Sequence, residues 1–106
     1  MASSKDYLEF ILEQLSYIDG ITYRYMMSEY ILYINGKIFG GIYDNRFMVK
    51  ITSSSKKIMP DADEELPYEG AKPMLLVTEV DNRDFLKLLI ESMYPELPEP
   101  VKKKKR

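Results

Sequence analysis

The first twenty residues show the repeat of apolar and polar positions that is typical of an amphipathic helix. Apolar side chains recur at the spacing of one helix face, and acidic residues occupy the opposite side. The positions on the apolar face are Leu8, Ile11, Leu12 and Leu15. Ser3 followed by Asp6 fits an N-terminal capping box, and Asp19-Gly20 supplies a stop. The pattern predicts a first helix that begins at Ser3 and ends before Gly20.

From residue 21 the chain becomes rich in tyrosine and β-branched residues, which favour strands. Asn35-Gly36 and Asp44-Asn45 are residue pairs typical of two-residue type I′ hairpin turns. We therefore predict an antiparallel meander of four strands joined by tight turns. The predicted strands are Ile21–Met27, Glu29–Ile34, Lys37–Tyr43 and Arg46–Ile51.

The third predicted strand contains a pair of adjacent glycines, Gly40-Gly41. Glycine weakens a strand unless a bulge or a close approach of another backbone requires it, so we expect a bulge, or a helix packed close against the sheet, here. Strict alternation places Ile38 and Ile42 on one face, opposite Phe39 and Tyr43. Apolar groups are thus expected on both faces of the sheet.

The second half of the chain alternates loops with short elements. Residues 52–57 predict a short helical turn, and residues 59–70 predict an exposed acidic loop punctuated by proline. The apolar run within residues 73–80 indicates a buried fifth strand. Asp81 is expected to cap a second long helix that ends at Tyr94-Pro95. The apolar stripe of that helix is Phe85, Leu86, Leu89, Ile90 and Met93.

These elements predict an α+β fold. Two amphipathic helices need an apolar surface to cover, and the most economical arrangement packs both on one face of the sheet. We expect a two-layer sandwich with an antiparallel sheet of about five strands and the N- and C-terminal helices on one face. Residues 1–97 form the predicted domain, and residues 98–106 form a proline-containing spacer and a basic tail.

Composition sharpens this picture mainly through charge. The chain has 106 residues and a net charge of −2, but its last five residues are all basic. Residues 1–101 therefore hold ten basic against seventeen acidic residues, a net charge of −7. An acidic body argues against broad non-specific binding of nucleic acid by the folded part. A run of like charges at a chain end is most often a solvated tail.

The chain contains no cysteine and no histidine. This composition excludes a disulfide framework, thiolate metal sites and catalysis by Ser-His-Asp or Cys-His groups. The N-terminus lacks the pattern of a secretory signal, and no apolar run approaches the roughly 20 residues that span a bilayer. We expect a cytoplasmic protein with no membrane partner and no cofactor.

Two blocks of sequence resemble a known family. Residues 24–42 run from Arg24-Tyr-Met through a tyrosine-bearing hairpin with a Gly36-Lys37 turn, and Lys50 follows at the end of the next strand. Residues 67–74, Pro-Tyr-Glu-Gly-Ala-Lys-Pro-Met, form the second block. Both blocks are similar to the N-terminal domain of the TfoX/Sxy competence regulators. One position departs from the family pattern, since Met27-Ser28 stands where relatives often have Phe-Gly.

The resemblance implies a compact α+β sandwich and a regulatory role. Founders of the family promote expression of bacterial competence genes together with a cyclic-AMP receptor-type activator, and they carry a second, helical domain. The resemblance therefore implies a stand-alone N-terminal-type domain here, with transcription machinery as the class of partner. It transfers no catalytic residue to this chain. A lysine-rich end is also common in the family.

Our first functional hypothesis is a non-enzymatic regulatory module that binds another protein, or a second copy in a homodimer, through the edge or the exposed face of its sheet. An enzyme is the least favoured class, because no catalytic motif is present and Asp81 and Asp84 are explained by helix capping. An acidic run beginning at Asp61 fails as a calcium loop, since Leu66 stands where glycine is needed and Lys72 where glutamate is needed.

The alternative hypothesis is an accessory protein that binds nucleic acid. Aromatic faces on a sheet stack bases, and lysine and arginine contact phosphates, although tyrosine is also simply a good strand residue. The candidate contact residues for a partner or for nucleic acid are Arg24, Tyr30, Tyr33, Lys37, Arg46, Lys50, Lys102, Lys103, Lys104, Lys105 and Arg106.

Overall fold

The structure is a computed structural model that describes residues 3–99. Within this range, one helix precedes and another follows a region that consists mainly of strands. The elements in chain order are α1 (Lys5–Gln14), β1 (Ile21–Met26), β2 (Glu29–Ile34), β3 (Lys37–Tyr43), β4 (Arg46–Val49), α2 (Ser53–Ile58), β5 (Glu64–Glu65), β6 (Met74–Leu76) and α3 (Arg83–Met93). A 3₁₀ turn, Tyr94–Glu96, follows α3.

The six described strands form one antiparallel sheet in the order β1-β2-β3-β4-β6-β5. Buried residues of α1 and α3 belong to the same core cluster as buried residues of β2, β3, β4 and β6. The two helices therefore close one face of the sheet, which we call the helix face, and we call the opposite face the outer face. The predicted α+β class is confirmed, with six strands rather than about five.

Three two-residue turns build the meander. In each turn both central residues have positive φ, the geometry of type I′ turns that matches the twist of the strands: Met27-Ser28, Asn35-Gly36 and Asp44-Asn45. The two turns predicted from Asn, Asp and Gly are confirmed. The first turn holds Met27 at φ 53° and Ser28 at φ 72° without asparagine or glycine, and β1 ends at Met26 rather than at Met27.

A bulge in β3 changes which residues share a face. Leu32 pairs with Gly40 and Tyr33 pairs with Ile38, so Phe39 is the extra residue in β3. Phe39 and Ile42 are both fully buried in the core, whereas Ile38 is exposed on the outer face. The prediction that Ile38 and Ile42 share a face was therefore wrong, because one extra residue reverses the alternation.

The predicted bulge at the glycine pair is confirmed, but the close approach comes from neighbouring strands and not from a helix. A Cβ atom on Gly40 would lie 2.1 Å from the carbonyl oxygen of Met48, in the neighbouring strand. A Cβ atom on Gly41 would lie 2.7 Å from the ring of Tyr43 and 2.6 Å from the carbonyl oxygen of Tyr30. Both positions thus exclude any side chain.

The N-cap of helix α1 lies one residue later than predicted. Ser4 caps it by accepting a hydrogen bond from the backbone of Tyr7. Ser3 is instead buried, and its hydroxyl donates to Glu29 over 2.5 Å and accepts from the backbone of Asn45 over 3.0 Å. The predicted cap at Ser3 was wrong because this tertiary network engages its side chain.

The N-cap of helix α3 also lies one residue later than predicted. Asn82, not Asp81, is its N-cap and accepts from the backbone of Phe85. Asp84 lies in the first turn, as predicted. The short helical turn predicted at residues 52–57 is confirmed. It corresponds to α2, which Thr52 caps through a capping box with Ser55.

The segment predicted to be an exposed loop is partly a strand. Glu64 and Glu65 of β5 pair with Leu75 and Met74 of β6. The predicted fifth strand is shorter than expected, since only Met74–Leu76 is extended in the sheet.

The contact at Gly40 yields a stability prediction. Gly40→Ala forces a methyl group into the backbone of β4, and we expect a loss of about 3 kcal/mol in the free energy of unfolding, measured by urea denaturation. The matched control is Gly70→Ala, where nothing lies within 4 Å of the added methyl group and only the φ of +88° opposes alanine. That control should lose about 1 kcal/mol. Equal losses in the two variants would show that β4 does not approach Gly40 so closely.

Candidate functional site

The outer face of the sheet has no helix packed on it within the described residues, yet part of it is buried. Met48 is fully buried and Tyr43 is 8% exposed, but neither belongs to the core cluster beneath the helices. Their neighbours in the strands, Ile42 and Phe47, face that core. Something other than a helix therefore covers Tyr43 and Met48 on the outer face.

The cover over Tyr43 is the segment between β5 and β6, residues 66–73, which we call the cover segment. Its Tyr68 packs against Tyr43 with ring centroids 6.0 Å apart. Pro67 is buried beside them. Such a tilted pair of aromatic rings contributes attraction beyond the apolar area that it buries. The cover segment therefore lies on the sheet and is not a free loop.

Arg46 attaches the cover segment to the sheet. Its Nη1 donates to Glu65 over 2.7 Å, and its Nη2 donates to the carbonyl oxygens of Leu66 over 3.2 Å and Pro67 over 3.3 Å. Its Nε donates to the carbonyl oxygen of Tyr43 over 3.1 Å. The planar guanidinium suits this fan of acceptors, which a single ammonium group cannot reproduce. Arg46 thus holds the cover segment on the sheet.

A groove of about 620 Å³ remains between the cover segment and the sheet, and we call it the outer groove. Its floor and walls are largely apolar. The sheet side provides Ile31, Ile38, Tyr43, Lys50 and Ile51, and the cover segment provides Pro67, Tyr68, Ala71, Lys72 and Pro73, with Met74 of β6 at its end. Among these residues the charged ones are Lys50 and Lys72. An apolar groove with two cations suits an apolar ligand that carries negative charge.

Burial changes the pKa of Tyr43, whose side chain lines the outer groove. Burial raises the pKa of its phenol to about 12, and the nearby Tyr68, Glu29 and Tyr33 add to the rise. A higher pKa means that the neutral form is favoured throughout the physiological range. Tyr43, which lines the outer groove, therefore keeps its proton and is unsuited to act as a base.

The candidate residues chosen from the sequence fall on different faces. Arg24, Tyr33 and Lys50 lie on the outer face, where Arg24 is exposed and the other two are half-buried. Tyr30 is buried on the helix face and packs against Tyr23 and Tyr25. The structure therefore brings only part of the set together.

Lys37 points to the helix side. Its Nζ lies 4.5 Å from the ring centroid of Tyr94 and 3.5 Å from a carboxylate oxygen of Glu99. The five basic positions of the tail, Lys102 to Arg106, lie outside the described residues.

Sequence reasoning missed Tyr43, Tyr68 and Lys72 as parts of one site. The signal was present, because Tyr68 and Lys72 stand in the second sequence block and Lys50 ends the first. The structure places these two blocks on opposite walls of the outer groove.

Metal and membrane sites find no support in residues 3–99. No cluster of three or more potential ligand residues in this range is arranged to hold a metal ion. None of the helices formed by these residues combines the length and the apolar character needed to cross a membrane.

Comparison with known proteins identifies a family and a relative of the chain. A family model, the TfoX N-terminal domain, matches residues 13–101. An uncharacterised 12.7 kDa protein encoded in the trpE 5′ region of Spirochaeta aurantia is 29% identical over 80 residues, which is 76% of this chain and 70% of that protein. No solved structure matches the chain significantly.

Arg46 gives a first prediction for the site. Arg46→Lys keeps the charge but loses most of the fan of hydrogen bonds, so we expect faster amide hydrogen exchange in residues 66–73 and a loss of about 1–2 kcal/mol in the free energy of unfolding. The control is Lys56→Gln, which removes an exposed ion pair to Glu64 of the adjacent β5. That variant should leave exchange in the cover segment unchanged. Unaltered exchange in Arg46→Lys would contradict the anchoring role.

The buried phenol gives a prediction of pH dependence. The pKa of Tyr43 is about 12 in the folded chain and near its ordinary value of 10 when unfolded. The stability linked to this phenol is therefore complete below pH 10 and is lost as the pH rises through 12. Urea unfolding between these pH values should show a shallower decline for Tyr43→Phe than for the wild type. The exposed control Tyr25→Phe should follow the wild type, and an identical decline in all three proteins would contradict the prediction.

Proposed function

The chain belongs to the TfoX N-terminal domain family, and from this membership we propose that it is a non-enzymatic regulatory module that acts by binding another protein. The regulatory part of the proposal follows from the family resemblance, in which transcription of competence genes is the regulated process. The binding part rests on the geometry of the outer groove.

The single observation that carries the proposal is the apolar outer groove at the meeting point of the two family blocks. Ile38 is 38% exposed, Ile51 is 40% exposed and Tyr68 is 60% exposed around this groove. Tyrosine and aliphatic groups around a concave surface are the kind of composition found at the centre of protein interfaces. A side chain or short segment of a partner would bury these groups.

The charge of the outer groove indicates the chemistry of the partner. Lys50 and Lys72 supply positive charge at a groove in a body whose net charge over residues 1–101 is −7. A partner segment with a carboxylate beside apolar residues would complement both features, and the local field would favour its approach. We therefore infer an acidic, apolar segment of a protein as the ligand.

Nucleic acid is less well supported as the partner. Base-stacking sheets set their aromatic rings within a basic surface. Here Lys37 and Arg46 are engaged by Glu99 and Glu65, and the ring of Tyr30 is buried on the helix face. The protein-binding proposal uses the residues that remain together, and nucleic acid is retained as an outcome of the test.

Enzymatic chemistry is also less well supported by this donor set. Tyr43 has a raised pKa and keeps its proton, and the described residues that line the same groove as the lysines include no carboxylate. These groups suit the holding of an anion better than the removal of a proton.

Charge reversal at Lys50 and at Lys72, in separate variants, tests the proposal. The tagged wild-type chain, Lys50→Glu, Lys72→Glu and the control Lys57→Glu serve as baits in cells of the source organism, with quantitative mass spectrometry of the captured proteins. Lys57 is exposed on α2 and does not line the outer groove. We expect a partner that the wild type and the control retain and both groove variants lose. Titration of the purified partner segment should then show at least tenfold weaker binding to Lys50→Glu.

Two results would overturn the proposal. One is capture that is equal for all four baits, because the outer groove would then play no part in binding. The other is salt-sensitive binding of single-stranded oligonucleotides, measured by fluorescence anisotropy, that the groove variants abolish and the control leaves intact. That second outcome would assign the lysines to nucleic acid.

A further inference from the structure

The two edges of the sheet differ sharply in how far they are protected. The β5 edge is two residues long, and both residues are glutamates. The β1 edge is six residues long, contains one charged residue, Arg24, and shows no proline or bulge. Native sheets usually block a free edge with charge, proline, a bulge or a short strand. The β1 edge has none of these features beyond Arg24, and no strand among the described residues pairs with its free side, so it is open to another strand.

The geometry of the first hairpin fixes which backbone groups are free. In a two-residue type I′ hairpin the residues that flank the turn, Met26 and Glu29, exchange both hydrogen bonds, and every second pair repeats this. The bond from the backbone of Asn35 to the carbonyl oxygen of Gly20 over 2.9 Å continues the same series of even-numbered positions. The N–H and C=O groups of Ile21, Tyr23 and Tyr25 therefore point away from β2.

We propose that the β1 edge pairs with β1 of a second copy of this chain, antiparallel and about a two-fold axis at Tyr23. In this register Tyr23 lies opposite its own counterpart, and Ile21 lies opposite Tyr25 of the second copy. Every free N–H and C=O group of these three residues then finds a partner. The tyrosine rings, 46% exposed at Tyr23 and 60% exposed at Tyr25, become neighbours across the new strand pair.

Charge and strand length favour this register over axes at the next two residues. A two-fold axis at Arg24 would place two arginines directly opposite each other, which is unfavourable. An axis at Tyr25 would set Tyr23 against the turn residue Met27 and leave fewer strand residues to pair. With the axis at Tyr23, Arg24 faces the neutral Thr22 of the second copy, so no like charges oppose each other.

The area available indicates a weak and reversible dimer. A buried tyrosine covers about 150–250 Å², and roughly half of each ring at Tyr23 and Tyr25 is still exposed to be covered. Pairing over this one strand therefore falls at or below the low end of the roughly 1,200–2,000 Å² buried in stable interfaces. We expect a dissociation constant in the micromolar range or above, which sedimentation of the unmodified chain should detect.

Cysteine crosslinking tests the register directly, because the natural sequence contains no cysteine. In Tyr23→Cys the two Cα atoms are expected about 5.5 Å apart, within the range that a disulfide bridges. In Tyr25→Cys the two positions are offset by about 14 Å along the strands. Tyr25 is the more exposed of the two, so random collisions would favour its crosslink. We expect mild oxidation to yield far more covalent dimer with Tyr23→Cys, at equal concentration and with both variants shown to be folded.

A charge test uses Thr22, which faces Arg24 of the second copy in this register. Thr22→Glu should lower the dimer dissociation constant several-fold by forming two equivalent ion pairs, and Thr22→Lys should raise it, with both effects shrinking at high salt. The two variants control each other because they change the same exposed site. Strictly monomeric sedimentation at about 1 mM together with no preference for crosslinking at Tyr23 would overturn the proposal. Preferential crosslinking at Tyr25 would overturn the register.

Discussion

The bulge at Phe39 and the adjoining glycine pair are the constraint on which the rest of the domain depends. The bulge turns Phe39 and Ile42 toward the helices and sends Ile38 to the outer face. Gly40 allows the backbone of β4 to approach where a methyl group would collide with Met48. Gly41 leaves a space on the outer face, and the ring of Tyr43 occupies it. One local irregularity thus completes the core and prepares the surface on which the outer groove forms.

The second half of the chain uses that prepared surface. The ring of Tyr68 packs against the ring of Tyr43. Arg46 attaches the cover segment to the sheet through hydrogen bonds to one carboxylate and two carbonyl groups. These contacts make Arg46 internal to the fold, although its side chain is still 27% exposed. A basic residue in a tyrosine-rich strand is therefore not by itself a sign of a ligand. Lys50 and Lys72 differ because they lie along an open groove rather than inside a set of acceptors.

Local sequence was enough to predict most of the fold, and tertiary contacts explain the remainder. Asn35-Gly36 and Asp44-Asn45 stabilise their turns through their own backbone preferences, so the meander could be read directly. The face of Ile38 could not be predicted, because a bulge shifts the pairing without leaving a periodic signal. Ser3 and Ser4 are chemically equal as caps, and the contacts of Ser3 with Glu29 and Asn45 decide between them. The two glutamates of β5 have low strand propensity and are extended because β6 pairs with them. The outer groove could not be predicted for a related reason. Its walls come from two separate sequence blocks that only the folded sheet brings together.

The outer groove and the β1 edge are separate surfaces, but their geometry would link their effects. A two-fold axis perpendicular to the sheet keeps each face on its own side, so a β1-paired dimer would present two outer grooves on one continuous surface. A partner with two acidic, apolar segments would then bind both grooves, and the second contact would form at a high effective concentration. The two lysines of each groove add only modest affinity while they stay hydrated. Weak dimerisation would thus make binding depend steeply on the amount of this protein, which is a useful property for a regulatory module.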